Sequence, residues 1–167
     1  MTTKRLTLSC LALVASLIQI RAEEPKADAA ATGAEHKEVI GVLPGVMQYD
    51  KKEITVKPGE KVAILFINKA CPLQHNLIVL KPGTDDAYGK AADAMMAKDP
   101  AGALTKNYIP DDPAVAGNVI AKTTKLIGTG QNEVLKFTAP TEPGDYPYIC
   151  TFPGHRFLMK GVMHVKP

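Results

Sequence analysis

The chain has 167 residues, enough for one domain with a proper core and too few for two comfortable ones. Hydrophobic residues make up 46% and charged residues 22%, a balance that argues against both a disordered chain and a membrane bundle. The formal charge of +3 belongs to the first 22 residues, which hold Lys4, Arg5 and Arg21 and no acid; the remainder carries 17 basic and 17 acidic residues. These are interleaved with no basic stripe to grip phosphates, so no nucleic-acid binding is expected.

Lys4 and Arg5 precede an apolar run over residues 6–20, closed by Arg21, Ala22 and two acids. A basic start, a short apolar stretch and a small residue at the junction read as a secretory signal over 1–22. The run is shorter than the ~20 apolar residues that span a bilayer, so no membrane insertion is expected after cleavage. Cys10 leaves with the signal. Residues 23–37 are rich in Ala, Glu and Lys without apolar periodicity, which reads as a solvated tether that includes His36.

The folded domain is expected over 38–167. Short apolar or alternating runs recur at 39–43, 53–56, 62–68, 76–80, 134–137, 146–150 and 162–165. Pro–Gly pairs at 58–59, 82–83, 143–144 and 153–154 punctuate them. Many short strands with such punctuation predict an all-β sandwich. One helix is inserted at 84–99. Thr84 reads as its cap, Asp85 and Asp86 suit the positive end of its dipole, and Ala87, Ala91 and Met95 recur every four residues beside Tyr88, Ala92 and Met96. Gly89 weakens the helix and Pro100 ends it. Residues 101–122 read as irregular connection.

The chemistry lies in the run from Tyr148 to Gly161. It places Cys150, His155 and Met159 five and then four residues apart, with Pro153 and Gly154 making a turn that can fold the three side chains onto one point. His75 opens a strand far upstream. Two imidazoles and a thiolate in a trigonal plane with a weak axial thioether form the blue-copper ligand set. Sulfur donors favour Cu(I), while imidazoles accept both oxidation states, a mixture suited to electron transfer. No open coordination position is evident for a substrate, so an enzyme is not expected.

The segment from Cys150 to Gly161 resembles the copper loop of the azurins, within the cupredoxin family of type 1 blue copper proteins. Residues 108–112, 125–130 and the pair His75 and Asn76 are similar too, so the resemblance covers roughly 38–167. It implies a cupredoxin-like Greek-key β-sandwich or barrel with one inserted helix, and one type 1 copper ion held by His75, Cys150, His155 and Met159. It also implies that Asn76 braces the two ligand loops, and that the backbone N–H groups of Asn76 and Phe152 point towards the Cys150 sulfur. The implied function is a soluble, monomeric, periplasmic carrier of single electrons in a bacterium, cycling Cu(I) and Cu(II). Its partners would be redox proteins such as c-type cytochromes or reductases, docking transiently on an apolar patch around His155. Phe152, Pro153, Phe157, Leu158, Pro72 and Leu73 supply that patch, with Arg156 as a charge at its rim. The chain departs from the azurins in carrying Gln74 where they have glycine, and in lacking the cysteines of their disulfide.

Other functions fit less well. A copper-delivery protein needs an open, exchangeable site, and a multicopper enzyme needs further histidines where only His36 and His164 remain. His164 alternates with Met163 and Val165 and is expected to face water. Met47, Met95 and Met96 read as packing. Cys71, four residues before His75, is open between a buried small hydrophobe, an intermolecular disulfide partner and a redox-sensitive thiol.

Overall fold

The computed structural model describes residues 36–167. The signal at 1–22, Cys10 and residues 23–35 of the tether lie outside the described residues. The chain runs through β1 (His36–Gly41), β2 (Glu53–Val56), β3 (Lys61–Asn68) and β4 (Ile78–Leu80). Three helices follow, α1 (Asp85–Lys98), α2 (Pro100–Thr105) and α3 (Pro113–Ala116). It ends with β5 (Val119–Lys122), β6 (Gln131–Thr138), β7 (Gly144–Ile149) and β8 (Lys160–Val165).

The strands form two sheets, ordered β1-β3-β6 and β2-β8-β7-β4-β5. β1 pairs with β3 and β2 with β8 in parallel, while the other neighbours are antiparallel. The all-β sandwich with a helical insertion expected from the sequence is what forms. The core between the sheets is built from Ile40, Ile64, Phe66, Val79, Tyr148 and Met163, among others.

β4 explains why one stretch of sequence is apolar without alternating. Leu77 and Val79 point into the core between the sheets, whereas Ile78 and Leu80 point the other way, into a second cluster with Tyr88, Ile109, Val115 and Ile149. A strand covered on both faces loses its polar row. The same alternation along β7 sends Tyr148 and Cys150 into the main core and Ile149 under the helices.

The insertion differs from the single helix expected. Pro100 does close α1, but it also opens α2: proline is tolerated at a first helical position, and the Asp99 carboxylate accepts from Gly102 N at 2.9 Å. α3 begins the same way, with the Asp112 carboxylate accepting from Ala114 N at 2.9 Å. Thr84 occupies the cap position of α1, yet its hydroxyl donates backwards to Lys81 O at 2.8 Å and caps nothing. β5 lies in the stretch read as irregular; it is a short edge strand whose half-buried residues carry no alternation. His36 and Lys37, read as tether, are already strand, because β1 sits at a sheet edge where polar residues are tolerated. Met47 is exposed at 36% and does not pack as expected.

Candidate metal centre

Three side chains converge at one end of the sandwich. His75 bridges to Ile127 through paired backbone bonds, His75 N to Ile127 O at 3.1 Å and Ile127 N to His75 O at 2.7 Å. Cys150 follows the last residue of β7, and its inward direction is set by the strand's alternation. His155 opens a single 3-10 turn, His155–Phe157, entered through Gly154 at φ +81°, a left-handed conformation that glycine adopts without strain. The loop closes on itself: Cys150 N donates to Met159 O at 3.0 Å and Met159 N to His155 O at 2.8 Å. Met159 is thereby held beside Cys150 and His155 and is fully buried.

The geometry suits a metal ion. His75 Nδ1 and His155 Nδ1 stand 3.1 Å apart, and the Cys150 sulfur lies 4.0 Å from the first and 3.7 Å from the second. Three such donors around a common ion, at metal distances of about 2.0–2.3 Å in a trigonal plane, would be separated by about 3.5–3.8 Å. The triangle is therefore close to formed. All three residues are buried.

The electrostatics agree. Burial, aided by the neighbouring His155, lowers the His75 pKa to about 4, and burial also lowers that of His155. Both imidazoles are thus held neutral, the form that binds metal. Burial pushes the Cys150 thiol up to about 12, against the pull of hydrogen bonds from the backbone N–H groups of Asn76 and Phe152. Those two bonds are the ones the family resemblance implied.

Asn76 ties the two loops together. Its amide nitrogen donates to Thr151 Oγ1 at 2.8 Å and Asn107 O at 2.9 Å, and its oxygen accepts from Thr151 N at 2.8 Å. Tyr49 adds a bond to Asn76 O at 2.8 Å. Asn107 and Tyr108 adopt φ values of +56° and +55°, which turns Asn107 O towards Asn76 and Tyr108 O towards the Thr151 hydroxyl.

Arg156 departs from the rim charge expected. Its Nε donates to Asp93 at 2.7 Å and Nη1 to Asp86 at 3.4 Å, both on α1, and its side chain is 14% exposed. It is a strut from the loop to the insertion. The strut explains Gly89, whose missing Cβ would stand 2.5 Å from Arg156 Cδ. In the sequence Gly89 reads as a weak helix residue; in the fold it permits a close approach.

The apolar residues around His155 divide. Phe157, Leu158 and Leu73 are exposed at 62%, 54% and 44%, while Phe152 is half-buried with its ring 4.7 Å from that of His155. His164 lies on the outward face of β8, as expected, with Nδ1 2.6 Å from Asp145. Cys71 is buried and, among the described residues, free of any disulfide, and its sulfur lies 3.3 Å from His75 Nε2, a contact that sequence spacing hints at only by placing the two four residues apart.

Comparison with known proteins agrees with this site. Auracyanin-A of Chloroflexus aurantiacus is 40% identical over 126 residues, covering 75% of this chain and 72% of that protein. Azurin-1 of Alcaligenes xylosoxydans xylosoxydans is 37% identical over 124 residues, covering 70% of this chain and 88% of its own. The crystal structure of dithionite-reduced auracyanin from Roseiflexus castenholzii superposes with a TM-score of 0.65 at 37% identity, covering 81% of this chain and all of that one. The family model for copper binding proteins of the plastocyanin/azurin type matches residues 36–166. With its sandwich, its buried His–Cys–His triangle and these relatives, the chain belongs to the plastocyanin/azurin family of copper binding proteins.

Proposed function

We propose that the protein is a soluble periplasmic carrier of single electrons, in which His75, Cys150, His155 and Met159 would hold one type 1 copper ion. The observation that carries this reading is the nearly formed triangle of two neutral imidazoles and a buried thiol. Bound there, copper would supply the Cu(I)/Cu(II) couple. The protein's part is to keep the donors still. Asn76 and Thr151 lock one ligand loop to the other, the Met159 backbone closes the second loop, and Arg156 anchors it to α1. Donors that need not move between oxidation states keep the reorganisation small, which suits a carrier rather than an enzyme.

Partners are proposed to be redox proteins such as c-type cytochromes or reductases. Phe157, Leu158 and Leu73 offer exposed apolar surface flanking the two histidines in sequence, fit for a brief encounter. Residues 1–22 are proposed to direct export to the bacterial periplasm, and the folded domain to act as a monomer. Among the described residues no helix is long and apolar enough to cross a membrane.

The test is stopped-flow mixing of the Cu(II) protein with a reduced c-type cytochrome. One cytochrome is expected to be oxidised per copper, and Phe157→Glu is expected to slow the bimolecular rate while leaving the visible spectrum alone. Oxidation no faster than with the metal-free protein would refute the carrier role.

A further inference from the structure

The two ring nitrogens of His75 face different partners. Nδ1 looks towards His155 and Cys150, whereas Nε2 points to the Cys71 sulfur at 3.3 Å. Cys71 stands outside the three-residue metal cluster, is 4% exposed and forms no disulfide among the described residues. Its place is fixed from several sides. Cys71 N donates to Asn68 Oδ1 at 2.9 Å, and Thr129 Oγ1 donates to Cys71 O at 2.7 Å. Asn68, itself fully buried, spends its amide nitrogen on Leu73 O at 2.8 Å and Ile127 O at 3.3 Å. The backbone of His75 is pinned to the same Ile127. Sulfur and imidazole are thus held by separate sets of backbone bonds that share one frame.

A histidine that binds metal through one nitrogen donates the other N–H, nearly always to a carboxylate, a carbonyl or water, and the acceptor's strength sets how basic the ligand is. A cysteine sulfur is a weak acceptor. We propose that Cys71 is a positioning residue for the copper centre: its sulfur accepts the His75 Nε2–H, fixes the tautomer whose Nδ1 lone pair is free for the metal, and sets a potential between those that an oxygen acceptor and no acceptor would give. The order follows from acceptor strength. An oxygen in that place would make His75 a stronger donor and stabilise Cu(II); sulfur does so less. This assignment rests on the copper reading above.

The test uses the full chain with Cys71→Ser and Cys71→Ala. In the zinc-loaded protein, which is diamagnetic and needs no redox chemistry, the His75 Nε2 proton is expected as an exchange-protected NMR resonance. It should move in the serine variant and lose its protection in the alanine variant. Zinc affinity is expected to fall about tenfold in the alanine variant, the low end for losing such a partner, and to be kept in the serine variant. In the copper protein the reduction potential is expected to drop with serine and rise with alanine. Opposite signs separate a hydrogen-bond acceptor from a mere packing residue, which would move both variants the same way. An unchanged proton resonance and potential in both variants, or potentials displaced in one direction, overturns the proposal. Should the wild-type protein lack a reversible copper couple while the zinc measurements behave as stated, the electron-carrier reading fails and the Cys71 bond stands. Thermal unfolding of each metal-free variant checks that the fold is kept, and serine retains nearly the native volume.

Discussion

Asn76→Ala isolates the tie between the two ligand loops. The change removes three hydrogen bonds, two with Thr151 and one with Asn107 O. Thr151 Oγ1 keeps its bond to Tyr108 O at 2.7 Å, so its loss is partial. Thr151 N and Asn107 O are left without the Asn76 partner. Orphaning a buried polar group costs about 1–3 kcal/mol, so the two together predict a loss of about 2–6 kcal/mol. The assay is urea unfolding of the metal-free protein, comparing midpoints at equal slope. Asn76→Asp refines the point: it keeps the acceptor for Thr151 N but removes both donated bonds and buries a charge, so it should be no more stable than the alanine variant. A loss below about 1 kcal/mol for Asn76→Ala would refute the claim that this side chain locks the loops.

Three further outcomes follow from the same geometry. Gly89→Ala would ordinarily stabilise a helix interior by about 1 kcal/mol, but here the new Cβ would stand 2.5 Å from Arg156 Cδ, so it overpacks the site at a cost of about 1–3 kcal/mol and pushes Arg156 off Asp93, a partly screened pair of up to about 1 kcal/mol; urea unfolding should show a net loss, and a gain would contradict the strut. Because the folded-state pKa of His75 is depressed from 6.5 to about 4, the unfolded chain binds the extra proton first. Stability of the metal-free protein is then full above about pH 6.5 and declines as pH falls towards 4, by about 3 kcal/mol from this residue alone; denaturation at stepped pH measures it, and a flat profile contradicts it. Metal binding must expel the Cys150 proton, held up to about 12, from between histidines already neutral. Zinc affinity should therefore rise about tenfold per pH unit between about pH 6 and 8, with one proton released per ion in calorimetry across buffers.

How far the sequence reveals this protein depends on where the information is local. The Cys150–Met159 loop is legible because the three donors and the turn that gathers them sit within one short run. The strands at 53–56 and 62–68 are legible because their apolar rows are bounded by turn residues, and β2 spans Glu53–Val56 as read. What is missed is set by tertiary contact. β5 is a four-residue edge strand, three of its residues half-buried and Lys122 exposed, and two β-branched residues, Val119 and Ile120, are too short a run to set it apart from the connection around it. Pro100 looks like a stop and is also a start, since only the folded chain shows the Asp99 carboxylate waiting three residues ahead of Gly102. Arg156 looks like a free surface charge until α1 brings Asp86 and Asp93 against it, and Gly89 looks like a flaw until Arg156 fills its place. Cys71 stays open between a small hydrophobe, an intermolecular disulfide partner and a redox-sensitive thiol until the fold lays its sulfur on His75.

The visible spectrum of the Cu(II)-titrated protein, beside a Cys150→Ser control, reports whether copper is bound by a thiolate among two imidazoles and a thioether. An intense blue thiolate-to-copper charge-transfer band is expected that saturates at one ion per chain, bleaches and returns with mild reductant and oxidant, and is absent from the control. Weak, pale absorption that survives the Cys150 change would contradict thiolate binding and place the copper elsewhere.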